Sequence, residues 1–410
     1  MTTSPIDTER RTPREPYGSL NLAPWRKLIF PMFIVLFVLG SIGMVMRLMN
    51  GHLSAGYGSY VPWGLWIAIY FHGVGIAAGA FAISSIGYLF KVGGFQNRSS
   101  LRVATIIVAA SMLPGLLAVA LDLGKPLRAY RIIFHASFTS MMAFNSWMYL
   151  LLLAICVAVW LLSYRPDNGW LKPVLILGAL ISLMIPSQSG AFLGVVDAKP
   201  YWNSALIPIM MLISALVAGA AILMVVHALI GDGGWAGVNE LKETALANIA
   251  VLRKILLIGL FAYFLMIFAK FSIAIWNPKG DHPEISLLLF GPYWWVFWIV
   301  NLLIGGIIPI VLLLSSRPAL WVLTGLIISA AFISARLDVL IPGQAVGLLK
   351  GIQQAYSHPR LSFTYNPTIM EYLVTIFVFA MGIAILYVGL RVTAIVAIQN
   401  SRKEKTDVIN

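Results

Sequence analysis

Cysteine is almost missing from this 410-residue chain: Cys156 stands alone, inside an apolar run. That excludes a disulfide framework, a thiolate zinc site and the four-cysteine set that holds an iron–sulfur cluster. Charge is scarce too. Only 10% of the residues are Asp, Glu, Lys or Arg against 60% hydrophobic, and the mean hydropathy is +0.89, a balance foreign to soluble domains. Long polar blocks are lacking as well. Roughly ten apolar segments, each near the ~20 residues needed to cross the hydrocarbon core, use up most of the length and leave no room for a soluble catalytic domain. Residues 1–26, rich in Arg, Glu, Pro and Thr, lack the charged start and short apolar core of a secretory signal, so a disordered, retained tail is expected there.

What is present is a polytopic pattern. The expected fold class is an all-α membrane protein with about ten transmembrane helices, at 27–49, 60–90, 101–121, 139–162, 172–194, 204–230, 252–276, 291–314, 319–336 and 368–396. These make one transmembrane domain, 27–396, between a 1–26 tail and a 397–410 tail. The net charge of +13 would suggest nucleic acid in a soluble chain. Here the Lys and Arg residues gather at helix ends, and the side carrying both termini holds them in a ratio of roughly two to one. This predicts cytoplasmic termini in a bacterial inner membrane, with lipid as the surroundings and no nucleic acid.

In that orientation the most polar and irregular stretches all fall on the outer face. They run from Tyr57 to Gly64, from Asp122 to Asn145, from Pro186 to Asn203 and from Arg336 to Asn366. The passage IPSQSGAFLGVVDAKPYWNS, from Ile185 to Ser204 with Gln188, Asp197, Lys199 and Asn203, reads as one wall of a site, because irregular backbone at membrane depth needs protein or a water-lined cavity to cover it. The long stretch from Asp338 to Asn366 either docks a partner or covers the helices as a flap.

Two titratable residues stand out as proton donors. His72 lies near the middle of its span, where an ionisable group is expensive and a functional candidate by default, although a neutral histidine bonded to a neighbouring helix would also satisfy it. Asp122 ends the third span in LDLGKPLRAYRIIF. It either forms an interfacial ion pair with Arg128 and Arg131 or exchanges a proton at the mouth of a headgroup opening. Ser137, Thr139, Ser140 and Asn145 open the fourth span and can hydrogen-bond a carbonyl. The recurring Gly64, Gly73, Gly75 and Gly79 of the second span suit close helix packing. A shared haem is excluded: His72 and His227, the histidines inside spans, differ in expected depth by roughly 16 Å at 1.5 Å per residue. No metal site is expected, and any electrons have to come from a partner.

The runs VPWGLWIAIYFHGVGIAAGAFAI, LDLGKPLR with its serine-rich sequel, and AKPYWNSALIPIMMLISALVAGAAIL resemble the NrfD/PsrC family of quinone-interacting membrane subunits. With ten spans and the SFTYNPTIMEYLVT stretch, the chain is most similar to the ten-helix branch, which includes the HybB-type hydrogenase subunit and the Qrc menaquinone reductase membrane subunit. The resemblance implies two four-helix bundles plus two peripheral helices. It implies a menaquinone bound near the outer face, with no haem or iron–sulfur cluster in this chain. It implies as partners a periplasmic four-cluster iron–sulfur subunit and a catalytic or cytochrome subunit. Carried onto this sequence, His72 and Asp122 would serve as proton donors, and Tyr57, Ser59, Tyr60, Trp63, Arg128, Ser140, Asn145, Gln188, Trp202 and Asn203 would line the site or its rim. Proton uptake from the cytoplasm would run through Ser84, Ser85, Ser214, His227, Tyr263 and Lys270, or through Arg336 and Asp338. Helices broken by Gly and Pro also suit a secondary transporter, and an anchor without a quinone site is a third reading.

Overall fold

The computed structural model describes residues 23–165, 169–231, 239–276, 283–347, 349, 351, 358 and 361–409. Among these there is no strand, and ten helices are long and apolar enough to cross a membrane. They are α1 (Phe30–Asn50), α2 (Leu65–Leu89), α3 (Arg98–Asp122), α4 (Met141–Leu162), α5 (Leu171–Gly194), α6 (Leu206–Ile230), α7 (Ala247–Ile275), α8 (Val296–Leu314), α9 (Pro318–Ala345) and α10 (Ile369–Val396). Helices α2 to α5 pack as one bundle and α6 to α9 as a second, with α2 against α6 at the seam. The pair α1 and α10 flanks them, α10 lying on α3. Such a ten-helix polytopic architecture is what the hydropathy predicts.

Position in the fold follows from side-chain size. In α2, apolar all round, 89% of the most apolar window is buried against 17% in α1, which makes α2 the axis and α1 a lipid-facing helix. In lipid, helices approach closely only where side chains are small. A methyl group added at Gly79 would collide with the carbonyl of Ala215, and one at Gly219 with the backbone nitrogen of Ala80. Gly79→Leu or Gly219→Leu should therefore force the bundles apart at a cost of about 1–3 kcal/mol or more. Thermal unfolding of the detergent-solubilised protein would show it as a lowered midpoint.

One boundary moves charged residues from a loop into a helix. The ninth helix continues beyond Arg336 to Ala345, so Arg336 and Asp338 are inside the membrane span and not in an outer loop. Both are buried: Arg336 Nη1 donates to Ser214 Oγ at 2.8 Å, and Asp338 Oδ2 accepts from Asn301 Nδ2. Interrupted hydropathy ended the predicted helix early, whereas partners on α6 and α8 keep the charges inside. Asn301 itself stands in a π-helical opening of α8, Val296–Ile307, a widened form common where a helix presents a particular side chain. Pro186 sits inside α5, which ends at Gly194 as its predicted span does. The irregular wall thus shrinks to the turns between α5 and α6, because one missing amide proton does not end a helix packed on its neighbours.

Candidate functional site

At the end of the molecule where α2 and α4 begin and α3 ends, here the polar end, the first bundle encloses a cavity of about 520 Å3. Its walls are apolar side chains such as Ile67, Phe71, Leu116 and Val119, interrupted by Trp63, Tyr70, Asp122, Tyr130, Asn145, Ser146 and Tyr149. The volume is in the range of small-molecule sites, about 300–1,000 Å3. Asp122 Oδ1 and Asn145 Oδ1 are buried with no hydrogen-bond partner. At the inner end Tyr70 and Tyr149 share a hydrogen bond of 2.5 Å, and Tyr149 reaches Ser189 Oγ at 3.5 Å. Asn145 and Tyr149 stand one turn apart on α4, so both face the cavity.

Asp122 is held by an aromatic and charged cluster contributed by α1, α10 and the α1–α2 connection. Arg47 Nε and Nη2 donate to the carbonyls of Leu121 and Leu123 at 2.8 and 3.2 Å, so a cation caps the C-terminus of α3, where the helix dipole favours it. His52 Nε2 approaches the Leu121 carbonyl at 3.3 Å. The buried Tyr57 phenol faces Asp122; burial first, then the carboxylate, hold its pKa well above the ordinary tyrosine value, so it stays a proton-bearing donor. Tyr57 stacks on Tyr365 at 5.8 Å, and the Tyr365 hydroxyl donates to Glu371 Oε1 at 2.7 Å. Glu371 Oε2 accepts from the backbone of Gly56 at 3.1 Å and of Thr368 at 2.7 Å. The arginine beside Asp122 is thus Arg47 of α1. Arg128 and Arg131, expected there from their nearness in sequence, are exposed on the following loop.

The other expected residues divide between wall, rim and elsewhere. Trp63 is a wall residue, stacked on Trp202 at 5.9 Å and fixed by a reciprocal pair of 3.0 Å bonds between its backbone and Gln344. Trp202 lies behind it, its Nε1 donating to the Val339 carbonyl at 2.7 Å. Ser140 caps α4, accepting from Ala143 N at 3.3 Å. Tyr60 stacks on Phe363 at 4.1 Å, Ser59 is exposed, and Gln188 is half-buried on α5. Asn203 is exposed and donates to Asp197 at 2.7 Å within its own turn.

His72 is not in this cavity. At about 100° per residue it stands roughly 140° round α2 from Ile67, facing α9. It is bonded through Nε2 to the Ser329 carbonyl at 2.8 Å, and it lines a separate cavity of about 370 Å3 between α2, α3, α9 and α10. The expected convergence of His72 and Asp122 at one site is therefore corrected: facing on a helix, and not depth alone, assigns a residue to a cavity. Arg47, Tyr70, Tyr149, Gln344, Tyr365 and Glu371 were missing from the sequence reading. Only Tyr149, one turn from Asn145, carried a local signal.

Fold and site together define a polytopic helical protein with a partly polar cavity at one end of its first helix bundle. The chain belongs to the NrfD family: the family profile described as Polysulphide reductase, NrfD, matches residues 54–347. Over 92% of its length it is 28% identical to a selenate reductase subunit of Mesobacillus selenatarsenatis, covering 96% of that protein. It is 24% identical to the Hdr-like menaquinol oxidoreductase integral membrane subunit of Archaeoglobus fulgidus, with 90% of this chain and 93% of that one aligned. Protein NrfD of Escherichia coli is 22% identical over 63% of this chain and 86% of its own.

Proposed function

We propose that this protein is the quinone-binding membrane subunit of a multisubunit oxidoreductase. An iron–sulfur subunit on the periplasmic face, joined to a catalytic or cytochrome subunit, passes electrons to menaquinone in the polar-end cavity. The observation that carries this reading is the pair of unpartnered buried oxygens, Asp122 Oδ1 and Asn145 Oδ1, which belong to residues that line a largely apolar cavity. Such a pair fits the two-faced chemistry of a ring that is a carbonyl when oxidised and a hydroxyl when reduced. The names of the selenate reductase and menaquinol oxidoreductase relatives point the same way.

A quinone takes up two electrons and two protons, so the chain's own task is to bind, exclude water and deliver protons. Asp122, protonated, is placed to donate to a ring oxygen and to be reloaded from outside through the Tyr57 side of its pocket. Asn145 orients the ring, and the apolar walls accept the start of the isoprenoid tail.

Proton uptake from the cytoplasm belongs to the same proposal, with both termini on the cytoplasmic side of the inner membrane. What supports it is a trail of buried polar groups deep in the helices. Asn248 Nδ2 lies 2.9 Å from Ser100 Oγ and 3.3 Å from His227 Nε2, while Ser84 and Ser85 are buried with unpartnered hydroxyl oxygens. In the second bundle Lys270 Nζ sits 3.5 Å from the centre of the Tyr201 ring. Lys270 Nζ, Asn301 Oδ1, Arg336 Nε and Asp338 Oδ1 are likewise without partners. Unpaired buried polar atoms are costly, and such a set is where ordered water or a transferred proton would be stabilised.

Filling the cavity tests the reading. Ala120 lines it from α3, and Ala120→Phe should lower the menaquinone that co-purifies with the complex about tenfold, the equivalent of about 1.4 kcal/mol in binding, with the same set of subunits still assembled. Unchanged quinone content would count against the site.

A further inference from the structure

The cavity that His72 lines differs from the polar-end cavity in kind. Its walls are apolar side chains of α2, α3, α9 and α10 with three polar residues, His72, Ser111 and Ser329. Both serines donate their hydroxyl protons within their own helices, Ser111 to the Ile107 carbonyl at 2.7 Å and Ser329 to the Gly325 carbonyl at 2.7 Å. A carbonyl can only accept, so the 2.8 Å contact to Ser329 fixes the His72 proton on Nε2. Nδ1 of the neutral ring is then an acceptor, and it is buried and unpartnered. Every polar atom left to meet an occupant is therefore an acceptor, and the occupant must bring the donor.

Water fits this space poorly, since it needs two to four polar partners and most of the wall offers none. A phospholipid acyl chain would fill the volume and leave Nδ1 unsatisfied. A long apolar molecule ending in a ring hydroxyl satisfies both demands. The way in is lateral: Leu326 of α9 and Phe379 of α10 line the cavity and are 52% and 40% exposed at the lipid-facing surface.

We propose that this cavity is a second quinol site, selective for the reduced ring. A hydroxyl donates to His72 Nδ1, and the isoprenoid tail leaves between α9 and α10. Naming the occupant a quinol rests on the function proposed above. The donor requirement rests on hydrogen bonding alone.

The test is photolabelling of the intact complex in membranes with a menaquinone analogue carrying a diazirine beside its ring, applied either oxidised or reduced by dithionite. Reduced probe should label residues on α9 and α10 around Ala330 and Ile383. Oxidation should weaken that labelling about fivefold, the size expected from losing one hydrogen bond. Ala330→Phe, which narrows the cavity from the lipid side, should abolish it while labelling in the polar-end cavity persists. Labelling there that is absent, indifferent to Ala330→Phe or equal in both redox states would overturn the proposal. Labelling confined to the polar-end cavity would sink the second site and leave the proposed function standing. Labelling confined to the His72 cavity would do the reverse.

Discussion

Asp122→Asn is expected to lower quinone turnover by about 100-fold or more while the complex still assembles and its donor subunit is still reduced normally. Asparagine keeps the size and one acceptor oxygen of aspartate, so the Tyr57 phenol keeps an acceptor beside it, and Arg47 keeps its bonds to the Leu121 and Leu123 carbonyls. What disappears is the capacity to release and regain a proton beside the ring. The measurement that checks it is donor-to-quinone electron transfer, set against reduction of an artificial acceptor that needs no quinone pocket. Loss of both activities would indicate a misassembled complex. Retention of both would remove Asp122 from the proton chemistry. His72→Gln leaves the polar-end cavity intact, so a loss as deep as that of Asp122→Asn would mean that the two cavities act in one pathway.

Glu371→Ala is expected to be the most destabilising single change at the polar end. Glu371 is fully buried and accepts from the Tyr365 hydroxyl and from the backbone amides of Gly56 and Thr368. Its own carbonyl accepts from Trp66 Nε1 at 3.1 Å, a bond the substitution leaves in place. Removing the carboxylate strands three donors, at about 1–3 kcal/mol each before relaxation. A loss of about 3–5 kcal/mol overall is the expectation, as for breaking a buried charged network. Thermal unfolding in detergent, followed by tryptophan fluorescence, would register it. Glu371→Gln should recover part of the loss, because one oxygen remains to accept while its new amide group meets a donor. An unfolding midpoint within a degree or so of the parent protein would show that the network contributes little.

How much of this was legible follows the range of the interactions. The spans are written in local hydropathy, and the glycines of α2 already suited close helix packing. Asp122, Trp63 and Asn145 were legible because each is a polar or amphipathic residue at a span end. Arg47 and Glu371 were not, since Leu121, which Arg47 caps, lies 74 positions away and Gly56, which Glu371 holds, 315, and a lone charge near a span end looks like any interfacial residue. Arg336 and Asp338 misled for the opposite reason. Read locally they end a helix, and only the serine of α6 and the asparagine of α8 make their burial affordable. The side of α2 that His72 faces depends on which helices surround it, which no window of the sequence contains.

The Glu371 carboxylate also has a bearing on how the protein is made. The amides it gathers belong to the start of the chain, at Gly56, and to the last connection, at Thr368. A ribosome delivers the nine earlier spans before α10 enters the bilayer. Until that moment the Gly56 amide has no carboxylate to meet, although Gln344 of α9 already holds the backbone of Trp63. The final helix therefore acts as a latch closed at the end of biosynthesis, and a chain halted before Glu371 would carry all the walls of the polar-end cavity without the fastening that sets their shape.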